Sequence, residues 1–153
     1  MRYEFIGPFV SSTMQVLDKV VQCDITRGSL SLVSSRDMHG EIAVMIEIQD
    51  HAPGSIIVNM NRATAVSISN VMNGEDADSL SMLDMDSIAE LANMIVGNAV
   101  STLNDLGFDF RMQTPKVLTT EAISSHRTGL EIFQVPLFTE FGEITVNALM
   151  EEH

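Results

Sequence analysis

Three polar side chains and a glycine recur at helical spacing within the apolar segment 86–100. Asp86, Glu90 and Asn93 occupy positions i, i+4 and i+7, which puts all three on one face of a helix, and Gly97 continues that face. A carboxylate and an amide beside a position without a side chain could reach into another molecule. The other interpretation is an ordinary solvated helix face. Spacing alone leaves both open, although asparagine is a poor helix former.

The remaining candidates for chemistry are weaker. Four histidines are spread along the chain, at His39, His51, His126 and His153. None is closely paired with a cysteine or another histidine, so the sequence does not predict a zinc site. The sequence contains neither a Gly-x-x-x-x-Gly-Lys phosphate loop nor a Gly-x-Gly-x-x-Gly fingerprint. Cys23 is alone and is expected to be a small buried residue. Asp84 and Asp86 have metal-ligand spacing, but capping of a helix start explains them better.

Composition limits the class of protein and its partners. The 153 residues suit one domain, 1–153, and 45% of them are hydrophobic. The net charge of −13 argues against nucleic acid and anionic membranes as partners. No apolar run reaches the roughly 18 residues of a membrane span, and segment 1–8 does not read as a signal peptide. With a single cysteine, a cytoplasmic protein is the simplest expectation.

Hydrophobic periodicity predicts an α+β fold with helices packed on an antiparallel or mixed sheet. The predicted helices are 9–22, 61–73 (capped by Asn61 and stopped by Gly74) and a long one from 84–86 to 106–107. The predicted strands are 30–33, 41–48, 55–60, 117–120, 130–138 and 142–149. A turn at 50–54 and another at 139–142 join two local hairpins. Pro136 favours an edge position or a bulge.

The polar stripe resembles the signature of a known family. Asp86-x-x-x-Glu90-x-x-Asn93, followed by Pro115, is similar to the motif of the CheC/CheX/FliY phosphatases of the chemotaxis response regulator. The surrounding segment 90–99 resembles the family's Glu-x-x-Asn-x-x-x-Gly sequence pattern. Further similarity to the single-site CheX branch covers segments 2–9, 54–58, 72–75 and 142–146. The first helix lacks a Glu-x-x-Asn, so one active helix per chain is implied.

The resemblance implies a protein phosphatase acting on the aspartyl phosphate of a CheY-like receiver. Asn93 then orients the attacking water, and Glu90 docks onto the receiver's lysine. Asp86, Gly97 and Pro115 are supporting residues: Asp86 orients or caps, Gly97 permits close approach, and Pro115 shapes the backbone. No cofactor or metal of the chain's own is expected, because the receiver should supply Mg²⁺. A homodimer joined through sheet edges is also implied.

Two other functions compete with phosphatase activity. The first is a non-catalytic CheX-like module that binds a receiver or a flagellar switch component. The second is a small-molecule esterase, which ranks low for want of a nucleophile and a base. The charge favours a protein substrate, since a chain of net charge −13 can handle phosphate only if its partner brings the cations.

Overall fold

Among the residues that the structure describes, the fold combines four helices with eight strands. A computed structural model describes residues 5–38, 40–49, 53–126 and 131–150. In chain order its elements are α1 (Ile6–Val20), β1 (Ile25–Arg27), β2 (Ser31–Ser34), a 3-10 turn (Ser35–Asp37), β3 (Ile42–Gln49), β4 (Pro53–Met60), α2 (Arg62–Asn73), α3 (Met82–Asp105), β5 (Arg111–Met112), β6 (Lys116–Thr119), α4 (Thr120–His126), β7 (Glu131–Thr139) and β8 (Gly142–Met150).

All strand pairs in the described sheet are antiparallel. The order across the sheet is β1-β7-β8-β4-β3-β5, with β2 also paired to β7 and β6 also paired to β3. Both predicted hairpins, β3–β4 and β7–β8, are confirmed, as is the α+β class. The center is held together by the β4–β8 pairing, in which Val58 lies opposite Val146. The two hairpins therefore form one surface on which the helices pack.

Helices α1, α2 and α3 pack on one face of this sheet. Alternate residues of β3 and β4 point toward them because successive strand residues face opposite sides: Ile42, Val44, Ile46, Ile48, Ile56, Val58 and Met60. The apolar stripe of α3 packs in the same core through Ile88, Leu91, Ala92, Ile95, Val96, Ala99 and Leu103. No helix in the described parts of the chain is long and apolar enough to cross a membrane.

The other face of the sheet carries a buried network of amides and hydroxyls. Asn147 Nδ2 donates to Asn59 Oδ1 over 2.7 Å, and Gln134 Nε2 donates to Asn147 Oδ1 over 2.8 Å. Asn59 Nδ2 in turn donates to the hydroxyl of Thr120 at the start of α4. Because these groups are buried, each hydrogen bond offsets a desolvation cost.

Several predicted boundaries differ from the structure. Helix α1 begins at Ile6 rather than 9, and α3 begins at Met82 rather than at 84–86. Of the turn predicted at 50–54, Pro53 and Gly54 belong to β4, and 50–52 lie outside the described residues. Gly74 ends α2 at φ 63° as predicted, but Asn61 takes the N-cap position without a side-chain hydrogen bond.

Of the two positions predicted for Pro136, the edge is wrong and the bulge is confirmed, because three residues (28–30) lie opposite two residues of β7 (135–136). Pro136 lies within β7, opposite Thr145 of β8. On its other side β1 and β2 are interrupted, and only Gly28 N donates to Pro136 O there, over 2.8 Å. Since the nitrogen and oxygen of a strand residue point to the same side, the missing N–H of the proline faces this interruption. An interior strand therefore tolerates it.

Candidate functional site

The helix that carries the polar stripe begins at a capping box. Ser81 Oγ accepts from Asp84 N over 3.1 Å, and Asp84 Oδ2 accepts from Ser81 N over 2.9 Å. Asn73 Nδ2 of α2 donates to the second oxygen of Asp84. These hydrogen bonds, the one from the Ser81 backbone foremost, hold the pKa of Asp84 below its usual range. Asp84 therefore caps the start of α3, as the sequence predicted.

Asp86 has a different role from its neighbor. It lies beyond the first turn of α3, is exposed, and makes no capping hydrogen bond among the described residues. Its carboxylate faces a surface groove instead. The capping interpretation therefore applies to Asp84 and is wrong for Asp86, because Ser81 starts the helix earlier than the acidic pattern predicted.

The groove has a cavity volume of about 480 Å³ and two walls. One wall is α3, which contributes Asp86, Ala89, Glu90 and Asn93. The other is β5 and the segment after it, which contributes Met112, Gln113, Thr114 and Pro115. The structure thus brings Asp86, Glu90, Asn93 and Pro115 together, while Gly97 lies on the same face one turn beyond Asn93.

Strand β3 holds the second wall in place. Gln113 N donates to Glu47 O over 2.9 Å. On either side, Met112 pairs with Ile48 and Lys116 pairs with Met45. The segment between β5 and β6 is therefore anchored at both ends to a central hairpin, which makes it a defined wall.

Core packing holds the first wall. Leu91 and Ile95 are buried beneath the stripe, and α1 packs along the same helix. Ser12 Oγ of α1 donates to Ile95 O, and Asn98 Nδ2 donates to Ser12 Oγ over 3.1 Å. Because α3 is fixed on its opposite face, it holds Glu90 and Asn93 in constant positions relative to the groove.

The polar side chains that α3 contributes to the groove have no partner among the described residues, and two of the three are carboxylates. Glu90 and Asp86 are exposed, Asn93 is half-buried, and none has a hydrogen-bond or ion-pair partner among the described residues. The described residues that line the groove include no lysine or arginine. Within the described chain no three acidic, histidine or cysteine side chains are grouped to hold a metal ion. The arrangement can thus bind a cation carried by a partner and hydrogen-bond a water molecule.

Four lining residues escaped the sequence analysis: Ala89, Met112, Gln113 and Thr114. Ala89 directly precedes Glu90 and lies within the predicted long helix. The other three lie in or next to a strand of two residues, too short for an alternating pattern to reveal. Only the proline that follows them was singled out.

Comparisons with known sequences indicate the family to which this chain is similar. A family model described as "Chemotaxis phosphatase CheX" matches residues 42–138. The CheY-P phosphatase CheX of Thermotoga maritima is 24% identical over 138 residues, which cover 90% of this chain and 88% of that protein.

Two solved structures are similar over almost their whole length. A chemotaxis protein CheX from Desulfovibrio desulfuricans is 25% identical, with a TM-score of 0.78 over 97% of this chain and 99% of that one. The CheX–CheY–BeF3–Mg²⁺ complex from Borrelia burgdorferi contains a chain with 25% identity and a TM-score of 0.82, over 99% of this chain and 100% of that one. The family match spans more than half of the sequence and includes both walls of the groove; the chain therefore belongs to the CheX family of chemotaxis phosphatases.

Proposed function

We propose that this chain accelerates hydrolysis of the aspartyl phosphate on a CheY-type receiver domain. One observation carries the proposal: Glu90, Asn93 and Pro115, the residues that resemble the family signature, line a single groove. The related CheX from Borrelia burgdorferi was solved in complex with CheY, BeF3 and Mg²⁺, which supports a receiver as the partner.

The proposed reaction is an in-line displacement at phosphorus. The water oxygen forms a bond to phosphorus while the bond from phosphorus to the aspartyl oxygen breaks, which releases phosphate and restores the receiver's carboxylate. The water's protons pass to phosphate and solvent. Asn93 accepts one hydrogen bond from the water and directs its lone pair, which is a positioning role. No side chain of this chain needs to act as a base.

Glu90 supplies docking in this proposal. Its carboxylate is exposed and unpaired among the described residues, so it is free to bind a lysine of the receiver. Gln113 and Thr114 on the opposite wall offer only neutral groups to the phosphoryl oxygens. With no cation in the groove, neutralization of the phosphoryl charge falls to the receiver's own lysine and Mg²⁺.

The test is phosphate release from a phosphorylated CheY-type receiver of the same organism. Asn93→Ala is expected to lower the rate at saturation about a hundredfold, because a mispositioned nucleophile loses about that much. Glu90→Ala is expected to raise KM more than it lowers kcat. The control is Gln15→Ala: this exposed amide lies on α1, where it accepts a hydrogen bond from Asn98, and its removal should leave both constants unchanged.

The assay also separates catalysis from the non-catalytic alternative. A module that only binds the receiver would form a complex while the aspartyl phosphate decays at its own rate. Binding without acceleration would therefore refute the proposed activity. Acceleration that survives Asn93→Ala would refute the role given to that amide.

We further propose that the chain forms a homodimer through an edge of its sheet. Strand β2 lies at one edge, where Leu30 and Leu32 are exposed, the latter by 53%. An exposed apolar edge strand is a ready template for pairing with a second copy. Sedimentation should show a dimer that Leu32→Lys dissociates, whereas a wild-type monomer at micromolar concentration would contradict the proposal.

A further inference from the structure

Two large apolar side chains are exposed on the first turn of α3. Met82 is 86% exposed and Leu83 is 58% exposed. The capping box at Ser81 and Asp84 brings them into the helix, so their directions follow from helical geometry. Single exposed apolar residues are common on protein surfaces, and it is the placement of this pair that is informative.

Met82 and Leu83 flank the polar stripe. At about 100° per residue, Met82 lies about 80° to one side of Glu90, and Leu83 lies about 20° to the other. Asp86, Asn93 and Gly97 all project between them. The rise of about 1.5 Å per residue puts Met82 about 12 Å from Glu90 along the axis. A partner patch of about 800 Å² has a radius of about 16 Å, so a protein centered on Glu90 also covers this first turn.

We propose that Met82 and Leu83 are the apolar anchor by which this chain holds its receiver. The inference rests on the proposed function and extends its binding surface beyond the groove. The groove offers Glu90 for the receiver's lysine, and its other polar groups are amides, a hydroxyl and a second carboxylate. Burial of apolar surface is the dominant favorable contribution to most protein–protein association. The first turn of α3 then adds apolar affinity to the docking contact of Glu90, and rate comes from Asn93 three turns later.

Charge identifies a receiver, rather than a second copy, as the occupant. The surface beside Met82 carries the carboxylates of Asp86 and Glu90, and no basic side chain lines the groove next to it. In a twofold pairing of this face, a second copy would bring its own Asp86 and Glu90 against these carboxylates, which like-charge repulsion disfavors. A receiver with a lysine and Mg²⁺ beside its phosphoryl group is complementary to it.

The experiment compares the double variant Met82→Ala/Leu83→Ala with wild type. The steady-state constants are measured for phosphate release from a phosphorylated CheY-type receiver, and Kd is measured for the same receiver loaded with BeF3 and Mg²⁺. We expect KM and Kd to rise about tenfold while kcat at saturation is unchanged. Alanine is the best helix former, so the exposed turn should stay folded, and circular dichroism checks this.

Two further variants make the comparison specific. Leu106→Ala is the matched control, since Leu106 is 68% exposed at the other end of α3 and projects about 160° away from Glu90. It should leave KM and Kd unchanged. Met82→Leu keeps an apolar side chain of similar volume, so it should retain near-wild-type affinity.

The outcomes separate this inference from the proposed function. A double variant with the same Kd as wild type, or one no weaker than Leu106→Ala, overturns the anchor. A change in self-association without a change in Kd assigns the pair to a second copy and also overturns it. Wild type that binds the receiver without accelerating hydrolysis overturns the proposed activity alone, and Kd of the double variant still decides the anchor. Wild type that does not bind overturns both.

Discussion

Replacement of Gly97 by alanine should make the protein more stable and less active. Gly97 lies in the interior of α3, on the face that carries Glu90 and Asn93. A Cβ built on it meets only Met112 Sδ, at 3.8 Å, which is ordinary van der Waals contact. Nothing within the described chain therefore requires a glycine here. In the proposed complex, the bare backbone lets the receiver approach closely.

The expected gain in stability follows from helix propensity. Glycine in a helix interior costs about 0.5–1 kcal/mol relative to alanine, because it loses more backbone entropy on folding. With no steric penalty from Met112, Gly97→Ala should raise the free energy of unfolding by about that amount. For a chain of this length, 1 kcal/mol corresponds to about 2–4 °C in Tm. Activity should fall, since the added methyl group separates the two surfaces.

Urea or thermal unfolding measures the first effect, and phosphate release from the receiver measures the second. Gly7→Ala is the control for activity, because a Cβ there meets nothing within 4 Å and α1 lies away from the groove. A loss of stability in Gly97→Ala would refute the packing argument. A gain in stability with unchanged KM and kcat would refute the close approach of the receiver.

Four other predictions concern the scaffold. Ser81→Ala removes the capping hydroxyl and should lower the free energy of unfolding in urea by about 1 kcal/mol. The pKa of Asp84 is lower in the folded protein than its unfolded value of 3.8. The stability that the Asp84 carboxylate contributes is therefore complete above pH 3.8 and is lost as the pH falls through the folded pKa. Asp84→Asn should make the free energy of unfolding depend less on pH in this acidic range. Asn147→Ala leaves the buried side-chain oxygen Oδ1 of Asn59 without its donor and should cost at least about 2 kcal/mol in the same unfolding assay. Burial, with a smaller contribution from Glu140, raises the pKa of the Cys23 thiol, so a thiol reagent should label native protein far more slowly than unfolded protein.

Local pattern predicted most of the elements that carry the site. The apolar period of α3 and the two hairpins were predicted correctly because their signals repeat within a few residues. The start of α3 was predicted two to four residues too far along the chain. The acidic residues at 84–86 indicate a helix start, whereas the Ser81 capping box begins the helix at Met82. β1, β5 and α4 were missed because they have only three, two and seven residues.

The sequence by itself determined the polar face of one helix, the α+β class and the resemblance to a phosphatase family. These depend on residue types at short spacing or along the whole chain. Tertiary structure alone decided that Gln113 and Thr114 face Asn93, because β5 and β6 pair with β3, more than 60 residues earlier in the chain. It also decided that Met82 and Leu83 remain exposed beside the stripe. Burial and pairing are set by all packed elements together, so no local pattern records them.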